Sequence, residues 1–265
     1  MKNIGIVGLG VVGSYISRLF NKKVNVNCKV NCYDTIISPY NTEDAKKAVD
    51  NSDIIFVCVP TPHRKGSGLN TTIVESVIRD YNPDLFIICS TLQPGTADRL
   101  MRCYGKKIVV QPEYLGETTN HPLSNIEQQK FLILGGNSED VNKVISLYQE
   151  IYNANIRIRK VTALEAEIIK LSENRAIAYK VAQCQELYDV CKKAKIDYNL
   201  IREAVYGDDP RFNLWWTFVY EDKRGCNSPC IPKDVYGWET WAKEVGIDPE
   251  LTSALLKYND KLIKG

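Results

Sequence analysis

The sequence predicts an α/β protein in which a mostly parallel sheet is followed by an all-helical region with a long central helix. Short apolar, β-branched runs alternate with amphipathic stretches through the first half of the chain, which is typical of strands joined by crossover helices. After about Arg159 the strand-like runs stop and helical periodicity takes over. We therefore expect two domains, 1–160 and 161–265.

Each predicted strand is a short apolar run bounded by turn residues. These runs lie at 4–7, 30–33, 54–59, 85–89, 108–110 and 131–134. A long helix predicted over 162–192 opens with a capping box, because Thr162 is followed one turn later by Glu165. Shorter helices are expected at 199–206, 235–245 and 249–263, the last with Asp248 at its N-cap.

The composition limits the class of protein. The 265 residues are 44% apolar, which is sufficient for a buried core. Lys and Arg total 34 against 32 Asp and Glu, so we expect neither nucleic acid nor a membrane surface as a partner. Nine cysteines without paired metal-ligand spacing predict reduced thiols, no metal site and a cytoplasmic location. We find no signal-peptide pattern and no apolar stretch of membrane length.

A glycine-rich turn follows the first strand and opens the next helix. This is the context that the G-x-G-x-x-G fingerprint of Rossmann-like domains requires. Gly8 allows the tight turn, Gly10 lets the backbone approach a pyrophosphate, and Gly13 permits close helix packing. Asp34 ends the second strand, where a carboxylate accepts hydrogen bonds from an adenosine ribose. No Arg or Lys follows it closely, so the pattern predicts NAD, bound by Gly8, Gly10, Val11, Val12, Gly13 and Asp34.

A second candidate motif lies on the predicted long helix. Lys170 and Asn174 are spaced so that both project from one face, where an ammonium and an amide can bracket a substrate oxygen. The spacing alone favours a surface lysine beside a polar neighbour. The glycine turn alone likewise fits an α/β domain that binds no ligand. Neither motif identifies the function by itself.

Further motifs occur in a fixed order along the chain. They are Val59-Pro60-Thr61-Pro62, Ser90-Thr91-Leu92-Gln93-Pro94-Gly95-Thr96, Pro112-Glu113-Tyr114-Leu115-Gly116-Glu117, the helical stretch from Glu165 to Asn174, and Cys230-Ile231-Pro232-Lys233-Asp234. This ordered set resembles the UDP-glucose/GDP-mannose dehydrogenase family over almost the whole chain. The resemblance implies oxidation of a nucleotide sugar's primary alcohol to the carboxylate, with two NAD per sugar.

The resemblance also assigns catalytic roles. Cys230 would attack the bound aldehyde, and oxidation of the thiohemiacetal would leave a thioester. Lys170 and Asn174 would stabilise charge on the substrate oxygen, with Asp234 and a water removing the alcohol proton. Glu117 and Thr91 would activate the water that hydrolyses the thioester. The catalytic residues expected on this basis are Cys230, Lys170, Asn174, Asp234, Glu117, Thr91 and Glu113.

Binding contacts follow from the same resemblance. The additional cofactor contacts expected are Pro60, Thr61, Pro62, Ser90, Thr91 and Lys233. The expected substrate contacts are Arg211, Lys170, Asn174, Glu113, Tyr114 and Leu115. Arg211 resembles a family arginine that reaches across a dimer interface, so we expect a homodimer formed through the long helix.

The chain departs from the family pattern in length, and other functions stay open. Family members normally continue into another α/β domain that holds the nucleotide, so the resemblance is to a short form ending at Gly265. The β-hydroxyacid dehydrogenases share the domain order and a Lys-x-x-x-Asn pair, but transfer one hydride and need no cysteine. A non-catalytic relative that binds NAD is the other alternative. Taken residue by residue, Cys230 also fits one more core cysteine, and Glu113 and Glu117 also fit solvated loop acids.

Overall fold

The apolar, β-branched runs of the sequence form strands in the structure, at positions close to those predicted. The computed structural model describes residues 2–22, 28–64, 67–116, 130–149, 151–152 and 156–264. Its elements are β1 (Lys2–Val7), α1 (Val11–Lys22), β2 (Cys28–Tyr33), α2 (Glu43–Asp50), β3 (Ile54–Val57), β4 (His63–Arg64), β5 (Gly68–Leu69), α3 (Thr72–Asp80), β6 (Leu85–Ile88), α4 (Thr96–Tyr104), β7 (Ile108–Val110), β8 (Phe131–Gly135), α5 (Ser138–Gln149), β9 (Arg157–Val161), α6 (Ala163–Ala194), α7 (Tyr198–Glu203), a π-helical turn (Ala204–Asp208), α8 (Ile231–Glu244) and α9 (Glu250–Lys264).

The chain divides into two units. Unit one contains Met1–Pro62 and Asn70–Lys170, and unit two contains His63–Leu69 and Leu171–Gly265. The division therefore falls inside α6, after Lys170, and assigns the short β4–β5 hairpin to unit two. Among the described residues, no helix combines the length and the apolar character that crossing a membrane requires.

Unit one is built on a seven-stranded sheet in the order β2-β1-β3-β6-β7-β8-β9. All neighbouring strands are parallel except β7 and β8, which confirms the mostly parallel sheet. Alternate strand residues enter different apolar clusters: Phe56 and Ile87 join one cluster, whereas Val57 and Ile88 join the other. The central strands are consequently buried on both faces, as parallel strands between helical layers are.

Among the described residues, the regular elements of unit two are helices apart from the β4–β5 hairpin. The hairpin packs on α8, where the His63 ring stacks on Tyr236 with 4.7 Å between ring centroids. One apolar cluster joins Ala178 on α6 to residues of α8 and α9. A second cluster joins Cys184 and other residues of α6 to α7 and the turn that follows it. The all-helical second half and the long helix predicted from the sequence are thus confirmed.

Helix ends show where local chemistry sets the boundaries. The capping box of α6 is confirmed, because Glu165 accepts the Thr162 backbone N–H at 2.7 Å and donates its own N–H to the Thr162 hydroxyl at 3.2 Å. The predicted start of α8 at residue 235 is wrong, since the helix begins at Ile231. The first N–H groups of a helix have no partner within the helix, so a proline there costs no hydrogen bond. Pro232 therefore lies in the first turn of α8, and the helix does not begin after it.

Two predicted starts and ends need smaller corrections. The last helix begins at Glu250, and the Pro249 carbonyl accepts the Ser253 N–H, so Pro249 and not Asp248 occupies the cap. The helix predicted to reach residue 206 ends at Glu203 and continues as the π-helical turn. Neither the β4–β5 hairpin nor β9 was predicted from the sequence.

Candidate active site

The candidate residues of unit one follow the carboxyl ends of parallel strands. Gly8 follows β1, Thr61 follows β3, Thr91 follows β6 and Glu113 follows β7. The sheet order places β2 and β3 on opposite sides of β1, so the chain reverses direction across the sheet at this point. Open α/β sheets bind ligands beside such a switch point, at the carboxyl edge.

The three fingerprint glycines meet different surroundings. Gly8 has φ +89°, and a Cβ there would lie 2.6 Å from the Cys58 carbonyl oxygen. A Cβ on Gly13 would lie 1.9 Å from the Gly8 carbonyl oxygen, so α1 packs directly against the turn. A Cβ on Gly10 would meet nothing within 4 Å. Backbone contacts therefore require glycine at the first and last positions, whereas Gly10 keeps space open at the start of α1.

Asp34 holds the glycine turn to the end of β2. Its Oδ2 accepts the Leu9 N–H at 2.8 Å, and its Oδ1 accepts those of Ile36 and Ile37 at 2.8 and 3.1 Å. Burial alone would raise the pKa of Asp34, but these three donors lower it below its ordinary value. The side chain is thus ionised and fixed beside the turn, where we predicted a ribose acceptor.

We expect Asp34→Asn to destabilise the protein at neutral pH by about 1 kcal/mol, because an amide cannot accept N–H bonds on both of its terminal atoms. The pKa of Asp34 is lower in the folded state, so its contribution is present above the ordinary value of 3.8 and is lost as the pH falls through the folded value. Urea unfolding at neutral and acidic pH measures this, with the exposed Asp222→Asn as control. A stability gap that persists unchanged in acid would contradict the prediction.

Two loops at the carboxyl edge are joined by hydrogen bonds. The buried Thr61 hydroxyl donates to the Thr91 carbonyl at 2.7 Å, and the Ser90 hydroxyl donates to the Val59 carbonyl at 2.7 Å. Pro60 and Pro62 flank Thr61 and are exposed. The structure thus brings together the loops after β3 and β6, both of which carry predicted cofactor contacts.

The loop after β7 carries the next predicted residues. Glu113 is buried, so it is not a solvated loop acid, and Tyr114 and Leu115 are half-buried. The Lys170 ammonium lies 4.8 Å from the centroid of the Tyr114 ring. Lys170 therefore contacts the loop that we predicted to bind substrate. Glu117 lies outside the described residues.

In unit two, the predicted cysteine begins a helix. Cys230 is the exposed N-cap of the 14-residue helix α8, and its carbonyl accepts the Asp234 N–H at 3.2 Å. It is therefore not a core cysteine. The partial positive charge at a helix N-terminus favours an anion, so this position suits a thiolate.

A buried polar group lies one turn after Cys230. Asp234 is 1% exposed, and its carboxylate accepts the Asn174 amide N–H at 2.5 Å and the Lys233 ammonium N–H at 2.5 Å. A buried carboxylate requires such partners to offset its lost hydration. The structure thus joins Asn174 and Asp234, which we predicted to act together and which lie 60 positions apart. It adds Lys233, which we predicted as a cofactor contact.

Two other residues of unit two, Cys226 and Arg211, differ from Cys230 and Lys233 in their surroundings. Cys226 is buried, and burial raises the pKa of its thiol, so it is suited to packing rather than to nucleophilic attack. Its backbone is held by Asn259, which accepts the Cys226 N–H at 2.6 Å. Arg211 is exposed and pairs with Asp209 at 2.6 Å, and the role that we predicted for it across a dimer interface stays a prediction.

One buried residue of unit one, Glu167, was not predicted as functional from the sequence. This glutamate is 2% exposed and accepts the backbone N–H groups of Gly95 and Ala97 at 2.6 and 2.8 Å. A usable signal existed, because helical spacing places Glu167 on the same stripe as Ala163, Lys170 and other inward-facing residues of α6. A polar residue on a buried stripe indicates a partner inside the fold.

The geometry of unit one defines a class: an α/β protein with a dinucleotide-binding glycine turn, followed here by a helical second half. Residues 39–156 match the NAD binding domain of the UDP-glucose/GDP-mannose dehydrogenase family, and residues 164–261 match that family's central domain. The chain belongs to the UDP-glucose/GDP-mannose dehydrogenase family, which confirms the resemblance seen in the sequence.

The chain is also similar to individual members of this family. The chain is 26% identical over 243 residues to GDP-mannose 6-dehydrogenase of Pseudomonas aeruginosa, covering 84% of this chain and 54% of that enzyme. It thus spans about half the length of this curated relative. A UDP-glucose dehydrogenase structure from Pyrobaculum islandicum matches with a TM-score of 0.80 and 21% identity, covering 98% of this chain and 68% of the other. A 3-hydroxyisobutyrate dehydrogenase of Mycobacterium tuberculosis shares the fold, with a TM-score of 0.70 and 15% identity, covering 98% of this chain and 93% of the other.

The cofactor of unit one is NAD. The residues present fit it, because the space over Gly10 at the start of α1 is open to a pyrophosphate. Asp34 lies beside the turn, where we predicted a ribose acceptor.

Proposed function

We propose that this chain acts in the NAD-dependent oxidation of a nucleotide sugar, of the UDP-glucose type, at its primary alcohol to give the uronic acid. The observation that carries the proposal is the arrangement at the start of α8. There an exposed thiol caps the helix, and one turn later a buried carboxylate is held by an amide and an ammonium. Family membership supplies the reaction class.

The first oxidation requires loss of a proton and a hydride from the alcohol. NAD, when bound, supplies the hydride acceptor for each of the two oxidations. We assign proton removal to Asp234 acting through a water, since its buried carboxylate is fixed in place by hydrogen bonds from Asn174 and Lys233. Asn174 donates one amide N–H to Asp234 and has a second N–H for the substrate oxygen. We assign Lys170 to the same oxygen, where its charge stabilises developing negative charge.

The second oxidation is assigned to a covalent intermediate on Cys230. Its thiolate adds to the aldehyde carbon, and the carbonyl oxygen takes up a proton to give a thiohemiacetal. Loss of the second hydride and of that proton leaves a thioester. Water then attacks the thioester carbon, the C–S bond breaks, and the acid and the free thiol are released. We assign activation of this water to Thr91 with Glu117, and a supporting role to Glu113.

We further propose a homodimer formed through α6, with Arg211 reaching the substrate of the partner subunit. The exposed position of Arg211 is compatible with this role. Light scattering with size-exclusion chromatography measures the assembly. A monomer at micromolar concentration would contradict the homodimer without affecting the chemistry assigned to Cys230.

Counting the NADH formed per sugar tests the proposed reaction. We expect two NADH for each UDP-glucose, GDP-mannose or related sugar consumed, together with one uronic acid detected by mass spectrometry. One NADH per substrate, with activity on short hydroxyacids, would identify a β-hydroxyacid dehydrogenase instead. Binding of NAD without its reduction by any sugar nucleotide would identify a non-catalytic relative.

A further inference from the structure

Glu167 stands out among the titratable groups that the proposed chemistry does not use. It lies on α6, is 2% exposed, and directs both carboxylate oxygens at the start of α4. Oε2 accepts the Gly95 N–H at 2.6 Å and Oε1 accepts the Ala97 N–H at 2.8 Å. A buried carboxylate is stable only with such partners, and a helix N-terminus also supplies partial positive charge. This one side chain therefore joins α6 to α4.

The loop before α4 carries Ser90 and Thr91, which we predicted to contact the cofactor. At its first end, the Thr91 carbonyl accepts the Thr61 hydroxyl hydrogen bond at 2.7 Å. At its last end, Gly95 is held by Glu167. Within it, the Thr96 hydroxyl donates to the Gln93 carbonyl at 2.6 Å. The loop over residues 90–96 is thus fixed at both ends, and Glu167 provides one of the two attachments.

Glu167 also lies one helical turn before Lys170. Residues three apart on a helix share a face and differ by about 4.5 Å along the axis, at about 1.5 Å per residue. Anchoring Glu167 on α4 therefore fixes both the rotation and the height of Lys170, whose ammonium lies 4.8 Å from the Tyr114 ring centroid.

We propose that Glu167 is a positioning residue, which holds the 90–96 loop in its cofactor-binding conformation and sets the placement of Lys170 against Tyr114. Its action is indirect, through Gly95 and Ala97 on one side and through the helix on the other. The inference rests on the proposed dehydrogenase activity only for the role of Lys170. The proposed effect of Glu167 on the 90–96 loop requires only that the protein binds NAD.

The position of Glu167 makes the attachment sensitive to pH. The pKa of Glu167 is raised to about 7. Burial is the largest cause and the charge of Asp98 on α4 adds to it, whereas the N–H groups of Ala97 and Gly95 lower the pKa. The ionised carboxylate accepts both N–H bonds fully, whereas protonation weakens one acceptor. We therefore expect NADH affinity to rise between pH 6 and pH 8.

NADH titration by fluorescence at several pH values tests the proposal without any sugar. We expect Glu167→Gln to bind NADH about tenfold more weakly at pH 8, since a charge-assisted hydrogen bond is lost, and to lose the pH dependence. Glu167→Asp should restore the pH dependence in part. Glu186→Gln, at an exposed position of the same helix, should match the unmodified protein.

A second variant keeps the test decisive if Glu167→Gln does not fold. Asp98→Asn removes the nearby charge that raises the pKa of Glu167, so the midpoint of the pH dependence should move to lower pH. Normal NADH affinity and pH dependence in Glu167→Gln, or an unmoved midpoint in Asp98→Asn, would overturn the proposal. A failure to oxidise any nucleotide sugar would refute the proposed function and leave these binding results standing.

Discussion

Replacing Cys230 with alanine is expected to abolish acid formation while leaving the protein folded and able to bind NADH. The side chain is exposed at the cap of α8, so its removal opens no cavity. Without the thiol neither the thiohemiacetal nor the thioester forms, and loss of a nucleophile lowers turnover by at least about a thousandfold. Mass spectrometry of the uronic acid and NADH absorbance measure the two products separately.

Cys103→Ala is the matched control for this experiment. Cys103 is also an exposed thiol, but it lies on α4 and has no assigned role. The Cys103→Ala variant should retain acid formation. Its Cys230 thiol should still react with an alkylating reagent. Acid formation by Cys230→Ala at the rate of the unmodified protein would remove the covalent intermediate from the mechanism.

Replacing Gly13 with alanine is expected to lower the free energy of unfolding by about 3 kcal/mol, because packed backbone has to move. The new Cβ would lie 1.9 Å from the Gly8 carbonyl oxygen and 3.3 Å from the Cys58 Cβ. Neither neighbour is the far end of a flexible side chain, so the turn and α1 have to separate. Urea unfolding measures the loss, and NADH titration should show weaker binding because the turn is displaced.

Gly10→Ala separates folding from binding at the same turn. A Cβ on Gly10 meets nothing within 4 Å, so stability should change by less than about 1 kcal/mol. The methyl group would occupy the space that we assign to the pyrophosphate, so NADH affinity should fall by at least about tenfold. Equal stability of Gly13→Ala and the unmodified protein, or normal NADH affinity in Gly10→Ala, would contradict this account of the turn.

The parallel core was predictable because each central strand is an apolar run buried on both faces. The strand β9 was not, because its sequence Arg157-Ile-Arg-Lys-Val161 is mostly charged and it pairs with β8 alone, at the edge of the sheet. The hairpin was missed for a related reason. Each of its strands has only two residues, which is too short for an alternating pattern.

The parts of the site that consist of residues close in sequence could be predicted. The glycine turn and the capping box of α6 depend on residues that are close in sequence, and spacing alone predicts their geometry. The partner of Asn174 did not follow from spacing, since Asp234 lies 60 positions later and is brought to it by packing. Glu167 was missed because its partners are backbone N–H groups, which any sequence supplies.

The β4–β5 hairpin has a consequence for how the gene can be divided. The chain crosses from one unit to the other three times, after Pro62, after Leu69 and after Lys170. A fragment ending at Lys170 would leave His63 without Tyr236, on which it stacks, and the complementary fragment would lack the hairpin that packs on α8. The two halves of the sequence are therefore not interchangeable modules. A hybrid that exchanges the second half between relatives should carry its own residues 63–69 with it.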